Sequence, residues 1–101
     1  MIYEEAMATA EMAQHEIQTL LHDYLVAGIV SRVTTSSLCE ARPGNFLAGV
    51  RVHLSVGGRE ARCVSGVVRG KTHHLSLAGI RVTIQSRAYQ GNVSPSGNSK
   101  M

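Results

Sequence analysis

The chain contains no tryptophan and only four other aromatic residues, Tyr3, Tyr24, Phe46 and Tyr89. Modules that bind single-stranded nucleic acid by stacking need an aromatic platform, so base reading of that kind is excluded. No apolar run approaches the roughly 20 residues of a membrane-spanning helix. The longest covers residues 25–30 and includes Gly28. Residues 1–27 hold no Lys or Arg, so they lack the basic start of a secretory signal. A cytoplasmic protein without a membrane partner is the expectation. Cys39 and Cys63 are not arranged as Cys-x-x-Cys. In a cytoplasmic chain they are most simply free thiols. A Cys39–Cys63 disulfide stays open but has no export signal behind it. The glycine spacings contain no phosphate loop and no Gly-x-Gly-x-x-Gly, and there is no Gly-x-Ser-x-Gly.

Charge of one sign is missing from each part of the chain. The net charge of +3 conceals this division. Residues 1–27 carry Glu4, Glu5, Glu11, Glu16 and Asp23 and no basic residue. The remainder holds all 10 Lys and Arg, with Glu40 and Glu60 as its only acids. At 101 residues the chain is long enough for one domain with a modest two-layer core.

Residues 3–27 read as one amphipathic helix. Ala6, Ala10, Ala13, Ile17, Leu20, Leu21 and Tyr24 recur at three- and four-residue steps and share a stripe. Gly28 suits the left-handed position just past a helix end. The alanine-lined first half requires close approach of whatever covers it. Residues 29–37 are β-branched and Thr/Ser-rich, which predicts a first strand, and 39–45 a loop around the type II pair Pro43-Gly44. Phe46, Ala48, Val50, Val52, Leu54 and Val56 alternate with Leu47, Gly49, Arg51, His53 and Ser55, a strand with one buried face. Gly57-Gly58 predicts a two-residue hairpin that sets Val56 opposite Arg59, Leu54 opposite Ala61, Val52 opposite Cys63, Val50 opposite Ser65 and Ala48 opposite Val67.

A second two-residue loop at Gly70-Lys71 would pair Val67 with His74, Ser65 with Ser76, Cys63 with Ala78, Ala61 with Ile80 and Arg59 with Val82. Glu60 would then face Arg81 on the other side. The expected fold is α+β, with the order α-β-β-β-β. One long N-terminal helix packs on a four-stranded, mainly antiparallel sheet, flat or curled toward a half-barrel. Residues 1–89 form this single domain and 90–101 a flexible tail.

In this arrangement the second sheet face is half apolar. Leu47, Val64, Val68, Leu75 and Leu77 surround Gly49 opposite Gly66. Monomers seldom leave a patch of a few hundred Å² open, so these five residues form the expected interface of a homodimer or larger assembly. The other half gathers Arg51, His53, Arg62 and Arg81, with Arg32, Arg59, Arg69 and Arg87 adding positive field. Guanidinium groups suit carboxylate and phosphate, so these four residues form the candidate anion site, for a small anionic ligand or a nucleic-acid backbone. A solvated rim explains the same charges, as does pairing with a neighbour's acidic helix.

Catalysis has less support. His73 and His74 point to opposite faces of a strand. Glu11 and His15 lack a third metal ligand at suitable spacing, with His22 seven residues further on. Cys63 falls on the core face, and Cys39 lies beside the acidic Glu40 rather than the cationic neighbour that activates a thiol. No metal, cofactor or catalytic residue is assigned. An enzyme site shared across an interface by His53, His73, Glu60 and Cys39 remains a third alternative. Residues 74–82 resemble the second signature of the PilZ domains, small cyclic-dinucleotide-binding barrels, at Ser76 and Gly79. His74 stands where that signature has Asp or Asn, and the Arg-x-x-x-Arg half has no counterpart. The main functional expectation is a non-catalytic, self-associating binding protein.

Overall fold

The computed structural model describes residues 2–85, so the 90–101 tail lies outside the described residues. The chain is α+β: helix α1 spans Tyr3–Val26, followed by strands β1 Arg32–Arg42, β2 Asn45–Val56, β3 Arg59–Val67, β4 Thr72–Leu77 and β5 Ile80–Gln85. The strands form two antiparallel sheets, one of three strands in the order β1-β2-β3 and one of two, β4-β5.

Helix α1 follows from its stripe. Ala6, Ala10, Ala13, Ile17 and Leu21 are buried, and Thr9 joins them by bonding its hydroxyl back to the Glu5 carbonyl at 2.8 Å. Leu20 and Tyr24 sit at the margin, Leu20 exposed and Tyr24 half-buried. Glu5 reaches back to accept the Ile2 N–H at 3.3 Å, which satisfies one of the free donors of the first turn. Gly28, with φ +79, turns the chain just beyond the helix end. The helix packs across β1 and β2, with the larger share on β1. Its start packs Tyr3 edge-on against Phe46 with ring centroids 5.6 Å apart. Its middle is tied to β1 by Gln14 and Gln18, at 2.7 and 3.1 Å from the Thr35 hydroxyl. The alanine stripe permits this approach, because Ala6, Ala10 and Ala13 bring nothing larger than a methyl to the core they share with Ala48, Val50, Val52 and Leu54.

The β2–β3 hairpin has the register that Gly57-Gly58 predicts, from Val56 opposite Arg59 to Ala48 opposite Val67. The β1–β2 hairpin is tighter than the sequence reading. β1 begins at Arg32 rather than 29 and continues through Arg42, so Cys39 lies in a strand and the turn is Pro43-Gly44 alone. Gly44, with φ +72, takes the third position of a type II turn.

The largest departure lies after β3. The four-stranded sheet gives way to a three-stranded sheet and a separate hairpin. Val68–Lys71 is a turn closed by Lys71 N–H to Val68 O at 3.2 Å, and the His73 ring nitrogen Nε2 accepts the Val68 N–H at 3.0 Å. The chain leaves the sheet here. The expected pairs Val67–His74, Ser65–Ser76, Cys63–Ala78, Ala61–Ile80 and Arg59–Val82 are replaced by Leu77–Ile80, Leu75–Val82 and His73–Ile84 within β4–β5. Residues 72–85 fold back at Ala78-Gly79, whose φ values of +50 and +83 match a type I′ hairpin turn. The physical reason is burial. A straight strand places Leu75 and Leu77 on the face opposite Ile80, Val82 and Ile84. The two-residue turn puts all five on one face, and all five are buried. Burying a leucine contributes about 2 kcal/mol, which outweighs the cost of roughly 1–2 kcal/mol for holding Ala78 left-handed. The hairpin lies in the helix layer, with Gln85 N–H donating to the Glu16 carboxylate at 2.7 Å.

Candidate functional site

All the packing just described lies on one face of the three-stranded sheet. The pairing gives the residues of the other face in cross-strand rows. From the Gly57-Gly58 end these are Arg32, Ser55 and Glu60; Thr34, His53 and Arg62; Ser36, Arg51 and Val64; Leu38, Gly49 and Gly66; then Glu40 and Leu47. Val68 continues this alternation beyond the end of β3. The face is divided along the strands: charged rows at one end, aliphatic rows at the other.

At the charged end Glu60 is the centre. Its carboxylate is 3.0 Å from His53 Nε2 and 3.9 Å from both Arg32 and Arg62. The hydrogen bond from His53 holds the Glu60 carboxyl below its ordinary value, reinforced by the charges of His53, Arg32 and Arg62. Arg51 sits two rows from Glu60, next to the row of His53 and Arg62, and makes no hydrogen bond or ion pair with any described residue. Arg51, His53, Arg62, Cys63 and Val64 line an open depression of about 460 Å³.

At the aliphatic end Leu47, Val64 and Val68 are 39%, 63% and 48% exposed. Leu38 completes this group beside the paired Gly49 and Gly66. A Cβ at Gly49 would stand 3.2 Å from the Ser65 carbonyl oxygen, so the strands approach there more closely than a side chain readily allows.

The structure thus keeps together three of the four expected anion-site residues, Arg51, His53 and Arg62. It separates Arg81, which lies on β5 in a groove with Leu20, Asp23, Tyr24, Val82 and Thr83. Glu60 pairs with Ser55, not with Arg81. Of the five expected interface residues, Leu47, Val64 and Val68 are exposed on this face, whereas Leu75 and Leu77, each 5% exposed, belong to the core. The error has one source, the missed turn at Ala78-Gly79. Arg32, inside the expected strand 29–37, and Leu38, beyond its end, stand outside both sets because a loop at 39–45 gives that strand no register against β2, whereas the two pair from Arg32 to Arg42. The alternation from Arg32 to Arg42 carries the signal for both.

The cysteines are free and half-buried. Cys39 pairs with Ala48 and Cys63 with Val52, so both face the inner layer. Cys39 therefore lies on the opposite face from His53 and Glu60. His73 and His74 do diverge: His73 turns to the Val68 backbone, and His74 Nδ1 is 3.1 Å from the Thr83 hydroxyl. No three His, Cys, Asp or Glu side chains converge as a metal site among the described residues. No described helix is long and apolar enough to cross a membrane. The acidic helix borders a wider open depression of about 640 Å³, lined by Ala8, Met12, Leu20 and Gln85 among others. No family model, curated protein or solved structure matches the chain.

Proposed function

We propose that this chain is a non-catalytic interaction protein that self-associates through the outer face of its three-stranded sheet. One observation carries the reading: Leu47, Val64 and Val68 are exposed around the paired glycines, on a face that no described element covers. An antiparallel sheet packed on one side ordinarily presents polar residues on the other. A second copy of the same face is the occupant that best suits the patch. Apolar rows meeting about a two-fold axis leave the rows of Arg62 and Glu60 at the margins, in water, with Arg51 at the border beside Val64. The two free thiols fit a reducing, cytoplasmic setting.

The test is mass in solution by light scattering. The wild type is expected at a multiple of 10.8 kDa, and Val64→Glu/Val68→Glu at a smaller multiple with unchanged circular dichroism. A wild type that stays at the chain mass at high micromolar concentration sinks the proposal.

A second reading rests on a separate observation: Arg51, whose side chain pairs with no described residue, lies beside Arg62 in the depression next to His53. It assigns this end to an anion, either a small carboxylate or phosphate ligand or a nucleic-acid backbone. Binding through charge alone falls steeply with salt. Arg51→Ala/Arg62→Ala is expected to abolish it. Retention of binding in that variant argues against this reading.

A further inference from the structure

The three-stranded sheet has two long edges, and they differ. The β3 edge carries Arg59, Glu60, Arg62 and Gly66, charged or weakly strand-forming residues of the kind that blunt an edge. The β1 edge is unguarded. β1 pairs with β2 through eleven consecutive positions without a bulge, and from Val33 to Cys39 it has no proline and no charged residue.

The hydrogen-bonding phase of this edge follows from the turn. A two-residue loop at Pro43-Gly44 makes Arg42 and Asn45 a hydrogen-bonded pair. Even-numbered residues of β1 therefore direct N–H and C=O at β2. Val33, Thr35, Ser37, Cys39 and Ala41 direct theirs away. These groups make no backbone hydrogen bond to any described residue outside the sheet. A row of unpaired donors and acceptors is a template for one more strand.

We infer that this strand is β1 of a second copy, paired antiparallel about a two-fold axis at Ser36, so that two chains share one six-stranded sheet. This contact is made by the backbone of the β1 edge, with Arg32, Ser36 and Glu40 of the outer face only flanking it, and it does not rest on the function proposed above.

The register is chosen by charge. Keeping each face continuous requires like-parity residues opposite each other. Centred on Ser36, the pairing sets Arg32 opposite Glu40 of the second copy, twice by symmetry, with Val33 opposite Cys39 and Thr35 opposite Ser37. Moving the axis to Ser37 sets Arg32 opposite Arg42. Moving it to Thr35 sets Arg32 opposite Leu38 and leaves Glu40 beyond the strand. Opposite charges across strands are favourable and like charges are not. The pairs are exposed, so they select the register and contribute little to its strength. The strength comes from about eight backbone hydrogen bonds in the four hydrogen-bonded residue pairs.

The helix layer allows the contact. Gln14 and Gln18, by their bonds to Thr35, mark the α1 side that overlooks β1. Helical spacing adds Met7 and Leu25 to that side. Leu25 is 37% exposed. In an antiparallel helix pair across the same axis, Met7 stands against Leu25 of the second copy and Gln14 against Gln18. Apolar groups meet apolar groups, and amides meet amides.

The experiment places like and unlike charges at the axis. Ser36→Lys and Ser36→Glu, each alone, set two like charges face to face and are expected to lose one doubling of mass by light scattering. Mixed in equal amounts, they are expected to regain it. Hydrogen exchange on the wild type gives a residue-level readout: the outward amides of Val33, Thr35, Ser37 and Cys39 should be protected, and should exchange freely in either single variant. If either variant fails to fold, the wild-type amides decide alone. Four freely exchanging amides overturn the inference, as do a wild type at the chain mass or folded single variants of unchanged mass. The outer-face variant Val64→Glu/Val68→Glu should leave these amides protected, so failure of one interface is distinguishable from failure of the other.

Discussion

Ala78 is the described residue other than glycine that has a positive φ, +50, and it precedes Gly79 at +83. Substitutions there report on the β4–β5 turn by the sign of their effect. An L-residue held left-handed costs about 1–2 kcal/mol, and asparagine tolerates the region better than alanine. Ala78→Asn keeps the Cβ, creates the Asn-Gly pair that type I′ turns favour, and is expected to stabilise the fold by about 0.5–1 kcal/mol. In a domain of this size that is a rise in Tm of about 2–8 °C. Ala78→Val places a β-branched side chain at positive φ, where it is strongly disfavoured. A loss of about 1–2 kcal/mol is expected, the scale of such backbone strain. Thermal and urea unfolding followed by far-ultraviolet circular dichroism measures both. A chain that ran straight from Thr72 to Gln85 would show the reverse order, because valine favours strands and asparagine does not. A destabilised Ala78→Asn together with a stabilised Ala78→Val would therefore refute the turn, and with it the burial of Leu75 and Leu77.

Further outcomes follow from the same packing. Leu75→Arg puts an unpaired charge at a core position and is expected to unfold the domain, at a cost above about 4 kcal/mol. Val64→Arg, on the open sheet face, should change monomer stability by less than about 0.5 kcal/mol; equal effects in urea melts would contradict the two placements. Ala13→Leu drives a larger side chain between helix and sheet and should cost about 1–3 kcal/mol, again read by urea unfolding. Glu60 has its folded-state pKa depressed below 4.5, first by the His53 hydrogen bond. Its contribution is therefore present above pH 4.5 and is lost as pH falls through the depressed value. The stability difference between wild type and Glu60→Gln should shrink over that acid range; a difference that grows on acidification would show that the carboxylate is not held by these cations.

Much of the architecture was legible locally. The spacing of Ala6, Ala10, Ala13, Ile17 and Leu21 determined a helix and its buried side. The alternation from Phe46 to Val56 determined a strand and its core face. Gly57-Gly58 then fixed the β2–β3 register, since a two-residue turn leaves no freedom in pairing. These features depend on periods of a few residues. The candidate site was legible in part for the same reason: Arg51, His53 and Arg62 share a face by alternation within one hairpin, and Leu47, Val64 and Val68 do likewise.

What lies beyond Val67 was decided by tertiary structure. Gly70-Lys71 and Ala78-Gly79 are both plausible turns, and the pattern Leu75-x-Leu77 followed by Ile80-x-Val82-x-Ile84 is compatible with a straight strand or a hairpin. Local preference favours the straight strand, because Ala78 is not a left-handed residue. The fold adopts the hairpin because it brings five aliphatic side chains onto one buried face beside the helix. That gain exists only when the helix and the three-stranded sheet are already in place to receive them. The same choice removes Leu75, Leu77 and Arg81 from the outer face. The division of charge, acidic helix and basic strands, was present in the sequence; only the tertiary structure determined which of those charges stand together.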